Sequence, residues 1–125
     1  MKRNMDLVRM ILLRLENPPP QGLPADLGIK GYVLDQIAYH VHIMEQERLI
    51  EANDESALED TAARRIPTRM TWQGHELLDL ARDQERWNLA KAIIAKVGGA
   101  PISIWVKVLT DLAMKNVEIA TAYLI

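Results

Sequence analysis

The stretch Arg69-Met70-Thr71-Trp72-Gln73-Gly74-His75-Glu76-Leu77-Leu78-Asp79 constrains the fold more tightly than any other part of this chain. It reads as the return strand of a hairpin turning directly into a helix. Thr71 suits the N-cap, because its hydroxyl accepts from an otherwise unpaired first-turn N–H. Gly74 falls in that first turn, where a missing side chain lets the helix start press against a neighbouring backbone. By period two, Ile66, Met70 and Trp72 share one face of the strand, and Leu77, Leu78 and Ala81 carry that apolar face into the helix. The pattern predicts a buried Trp72 at the junction and one core serving both elements.

Composition sets the bounds of that core. A chain of 125 residues suits one domain with an appended helix. The 49% hydrophobic share is ample for a packed interior, and three Trp and six Met supply the bulk that the missing Phe would give. With no Cys there is no disulfide, thiolate metal site or cysteine nucleophile. A net charge of −2 argues against a generic nucleic-acid coat and leaves room for a local basic patch only. Arg9 and Arg14 interrupt what would be the apolar region of a signal peptide, and no apolar run approaches the ~20 residues of a membrane span. The expectation is a cytoplasmic protein with no membrane partner.

Asn4 is placed to cap a first helix running to about Asn17, with Leu7, Val8, Ile11, Leu12 and Leu15 on one stripe. Pro18-Pro19-Pro20 ends it, since proline lacks the N–H and restricts the residue before it. Leu23–Ile29 reads as a loop or a short edge strand. Tyr32–Glu47 is a second amphipathic helix. Val33, Leu34, Ile37, Ala38, Val41 and Met44 fall on one side, and Asp35, Gln36, Tyr39, His42, Ile43 and Gln46 on the other. Leu49–Ala52 and Ile66–Met70 form the hairpin, with Pro67 marking an edge, and aperiodic Asn53–Arg65 reads as a mobile loop. Trp87, Ala90, Ile93, Ile94 and Val97 continue helical periodicity to Gly98-Gly99, a natural stop. Ser103 is placed to cap a final helix, unusually apolar, with Val117, Ala120 and Leu124 near its end.

This order of elements resembles a winged helix. The run His40-Val41-His42-Ile43-Met44-Glu45-Gln46-Glu47-Arg48-Leu49-Ile50 is similar to the end of that fold's recognition helix, except that Arg48 stands where glycine is usual. Glycine there takes the left-handed turn after the helix, so a residue with a Cβ should cost about 1 kcal/mol. Between Asn17 and Tyr32 there is little room for the first helix of a helix-turn-helix. A second resemblance covers nearly the whole chain. The opening Met1-Lys2-Arg3-Asn4-Met5-Asp6-Leu7, the block Thr71 to Asp79, and Trp87 through Lys91 with Val97, Gly98 and Gly99 are similar to a family of short bacterial and prophage proteins, domain of unknown function 2513. That resemblance implies a fold and a bacterial or phage setting, and it brings no catalytic residues. The expected fold is mainly α with a small β-hairpin (α+β): a winged-helix-like domain over residues 1–84, and a C-terminal helical extension over 85–125 packed on the same domain.

No constellation meets the requirements of an enzyme, and no cofactor is expected. There is no phosphate-binding glycine loop, no nucleophile elbow and no dinucleotide fingerprint. His40 and His42 point to opposite sides of their helix, and His75-Glu76 lacks the second His of a zinc-protease helix. The sharpest reading is double-stranded DNA held by the second helix and the wing. Gln36, Tyr39, His42 and Gln46 would face the duplex, and Arg64, Arg65 and Arg69 would supply the phosphate contacts that the helix face lacks. The rival is a protein-interaction module presenting Tyr39 and Ile43 to a protein partner. The apolar C-terminal helix further points to a homo-oligomer, a dimer by analogy with wing-type regulators.

Overall fold

The computed structural model describes residues 1–55 and 64–124, and the chain is mainly α with one small antiparallel hairpin. In order, it forms α1 (Met5–Glu16), α2 (Leu34–Gln46), β1 (Ile50–Glu55), β2 (Arg64–Met70), α3 (Trp72–Ala81), α4 (Gln84–Lys96) and α5 (Ile102–Leu124). It divides into two compact units, Met1–Leu78 and Asp79–Ile125.

In the first unit α1 and α2 pack on one another and on the hairpin. Asn4 caps α1 through Oδ1, which accepts from the Leu7 N–H at 3.3 Å. The stripe Leu7, Val8, Ile11 and Leu12 is buried with Ile37, Val41 and Met44 of α2. Residues 18–33 form no helix or strand; they hold turns closed by bonds such as Leu27 N–H to Pro24 O at 2.9 Å, and they bury Leu27 and Ile29. The segment read as loop or edge strand is thus a loop.

The hairpin is longer than the sequence suggests. Asn53–Glu55 and Arg64–Arg65, expected to be loop, pair as strand, with Glu55 opposite Arg64 and Asp54 opposite Arg65. Backbone ladder bonds need no apolar periodicity, so charged residues extend the strands freely. The middle of the expected mobile loop, residues 56–63, lies outside the described residues.

A second difference concerns the shared strand face. The ladder pairs Glu51 with Arg69 but Ala52 with Pro67, so Thr68 is the extra residue of a bulge. Its hydroxyl donates to Glu51 O at 3.1 Å. One inserted residue breaks the period-two alternation. Pro67 and Met70 consequently point inward, while Ile66 is left exposed. Trp72 belongs to the first turn of α3 and is 80% exposed, which overturns the expectation of a buried ring.

In the second unit α4 packs on α5, and the rings of Trp87 and Trp105 stack with centroids 5.0 Å apart. Helical periodicity does not run unbroken from α3 into α4. Asp83 starts a new helix, its carboxylate accepting from the Arg86 N–H at 2.7 Å. Arg86 Nη1 donates to the Leu80 carbonyl at 3.1 Å, so one side chain satisfies a carbonyl at the end of α3 while its backbone opens α4. Ser103 does not cap α5. The helix begins at Ile102, and the Pro101 carbonyl accepts from Ile104 and Trp105.

Candidate functional site

The expected DNA-reading face lies on the outside of α2, where Tyr39 is 38% exposed and His42 and Gln46 are exposed. Gln36 is not available in the same way. It sits one turn into the helix, and its Oε1 accepts from the Val33 N–H at 3.1 Å, returning to satisfy an N-terminal donor. Ile43 is half-buried. The Tyr39 ring meets His40 edge-on, with centroids 5.7 Å apart.

The hairpin arginines are engaged within the molecule. Arg65 makes a two-pronged ion pair with Glu45 of α2, and its Nη2 also donates to the Ala52 carbonyl at 2.9 Å. Both side chains of the pair are half-buried. Arg65 therefore fastens the hairpin to α2. Arg69 Nε donates to Glu51 Oε2 at 2.5 Å across the strand pair. That hydrogen bond holds the Glu51 carboxyl below its ordinary range and raises the Arg69 guanidinium further. Arg64 opens β2 opposite Glu55. The structure thus brings Arg65 and Glu45 together beside the hairpin, and it pairs two of the three arginines expected to contact phosphate, Arg65 and Arg69, with carboxylates of the same chain.

Two residues play parts other than those the sequence pattern assigns them. His40 is fully buried. Its Nε2 accepts from the Asn4 N–H at 2.8 Å, and its Nδ1 donates to the Gln36 carbonyl at 2.7 Å. This is the neutral tautomer with the proton on Nδ1, and it ties the start of α1 to α2. A histidine on the inner border of an amphipathic helix was the available signal. Trp72 is the other. Its indole Nε1–H donates to Glu76 Oε1 one turn on at 2.8 Å, and the ring itself stands in solvent.

No group of three or more His, Asp or Glu stands together to hold a metal among the described residues. Among them, too, no helix is long and apolar enough to cross a membrane.

The family described as "Hypothetical protein (DUF2513)" matches residues 2–100, a span that takes in every element through α4 and ends before α5. An "Uncharacterized protein" of Haemophilus influenzae is 41% identical over 95 residues, which is 75% of this chain and 79% of that protein. No solved structure matches the chain. With the Thr71–Asp79 block and the Trp87 helix both inside the matched span, the chain belongs to the DUF2513 family.

Proposed function

We propose that this is a small cytoplasmic regulatory or adaptor protein of bacterial setting that works through protein contacts. The observation that carries this reading is Trp72, 80% exposed at the head of α3. A tryptophan is costly to leave in water and is enriched among the residues that dominate protein interfaces. Its fold role is small, because the junction is made by its neighbours. Thr71 caps the helix, with its Oγ1 accepting from Gly74 N–H at 3.1 Å, and Gly74 packs against the Leu49 carbonyl. Tyr39 on α2 offers a second exposed aromatic. The protein also self-associates in this reading, through the apolar surface of α5, where Val117, Ile119, Tyr123 and Leu124 are exposed.

The alternative, a DNA-binding winged helix, draws support from the helix–helix–hairpin–helix order and from Tyr39, His42 and Gln46 on the outside of α2. It is the weaker reading because phosphate contacts supply much of DNA affinity, and Arg65 and Arg69 already face Glu45 and Glu51.

Two measurements decide between them. A mobility shift on a pool of random duplexes at about 100 mM salt, where electrostatic binding is still detectable, should show no complex. Affinity capture from bacterial extract should recover a protein with the parent chain and lose it with Trp72→Ala. A duplex complex that weakens with salt and disappears on reversing Arg64, Arg65 and Arg69 to Glu would overturn the proposal in favour of DNA.

A further inference from the structure

A groove runs between the Pro24–Leu27 turn, α2 and β2 in the first unit. Its closed end is a cavity of about 160 Å³ walled by Leu27, Ile37, Val41 and Pro67. Pro24, Ala25 and Leu34 line both this cavity and a broader, open depression of about 690 Å³ that reaches Tyr32 and Val33. Three branched apolar side chains stand in water along it: Val33 at 63%, Leu34 at 45% and Ile66 at 39% exposure. The wall is held in an unusual shape. Leu27, whose side chain is buried, has φ +56°, and Gly28 follows at +70°. A bulky residue in the left-handed region is strained, and such strain persists where the surroundings enforce it, often at binding sites.

We infer that this groove docks a short apolar peptide segment that carries a lysine or arginine. The inference rests on the interaction-module reading and names its surface and partner chemistry. Size argues for a peptide. The closed end is well below the ~300 Å³ at which small-molecule pockets begin, but it accepts one apolar side chain while the backbone lies along the open part. Recognition is through side chains rather than strand addition, because Pro67 removes a donor from β2 at the groove. Charge supplies the rest. Asp26 and Asp35 line the open end, whereas Arg65 at the closed end faces Glu45. The rim is negative, and a cation beside the apolar anchor complements it.

The test is selection of short random peptides displayed on phage against the full chain. Affinities of the enriched peptides are then measured by fluorescence anisotropy on the parent, Ile66→Glu and Asp35→Lys. Both substitutions are at exposed side chains, and melting curves check that each variant folds. The expected result is an enriched set with an apolar anchor near a Lys or Arg. Ile66→Glu should weaken binding roughly tenfold or more, and Asp35→Lys should lower affinity for basic peptides while raising it for acidic ones. Enrichment of acidic peptides, or affinities that ignore both variants, would overturn the groove assignment. Failure here with Trp72-dependent capture intact removes the groove and leaves the interaction module. Failure of both, with a salt-sensitive duplex complex, removes the two together.

Discussion

Two helices end in the same hydrogen-bonded turn, and only one uses glycine for it. After α4, Gly98 at φ +83° donates to the Ala95 carbonyl and Gly99 to Ile94. After α2, Arg48 at φ +64° donates to Glu45 and Leu49 to Met44, the same pair of bonds at the same offsets. The left-handed conformation costs a residue with a Cβ about 1–2 kcal/mol, and glycine returns part of that by enlarging the unfolded ensemble. Arg48→Gly should therefore raise stability by about 0.5–1 kcal/mol in urea melts. Gly74 is the opposite case. A Cβ there would stand 2.0 Å from the Leu49 carbonyl oxygen, with backbone on the other side of the contact. Gly74→Val should cost about 3 kcal/mol or more, the upper end of overpacking, while neighbouring Trp72→Ala should change the melt by no more than about 0.5 kcal/mol. Equal losses in the two variants would mean that the ring, not the glycine, holds the junction. His40→Leu should cost about 1–3 kcal/mol, because it strands the part-buried Asn4 N–H.

At the scale of the element, the hairpin is a strut bolted to α2 rather than a free arm. Arg65 reaches both Glu45 and the Ala52 carbonyl, so removing it takes away one polar tie to the helix and one to the partner strand, while the ladder and the apolar packing remain. A double-mutant cycle on Arg65→Ala and Glu45→Ala should return a coupling of about 1 kcal/mol, at the top of the range for exposed pairs because both groups are half-buried. Coupling near zero would mean that the ion pair does not fasten the hairpin to α2. This bolt shows what could be read from the sequence and what could not. Helical stripes were legible because Leu7, Val8, Ile11 and Leu12 repeat at the helical period, as were caps such as Asn4 and Thr71, whose hydrogen bonds are local. The meeting of Arg65 with Glu45, 20 residues away, depends on hairpin register. That register carries a bulge at Thr68, which a strict alternation cannot announce. The same bulge turns Ile66 out of the core, and Trp72 lies outside it because β2 ends at Met70 and α3 begins at Trp72, where the alternation of a strand no longer applies.

Across the whole molecule, apolar exposure concentrates where one helix outruns its partner. α5 has 23 residues and α4 has 13, about 34 Å against about 20 Å at the usual helical rise. Arg86 of α4 reaches Asn116 with a 3.1 Å hydrogen bond, and every described α5 residue beyond that point is exposed. Only Trp105 and Leu109 are buried along the whole of α5. Val117, Ala120 and Leu124 follow one another at three- and four-residue spacing and so share a face that a second helix could cover. If that second helix is another copy of the chain, mass should rise with concentration in sedimentation equilibrium, and the melting midpoint should rise with it. Val117→Glu combined with Leu124→Glu should then give a monomer at every concentration. Its melt should match the parent's at high dilution, since both side chains already stand in water in the isolated chain. A parent that stays monomeric at its highest soluble concentration would reject self-association through α5. A double variant that melts early even at high dilution would instead place these residues in the fold of the single chain.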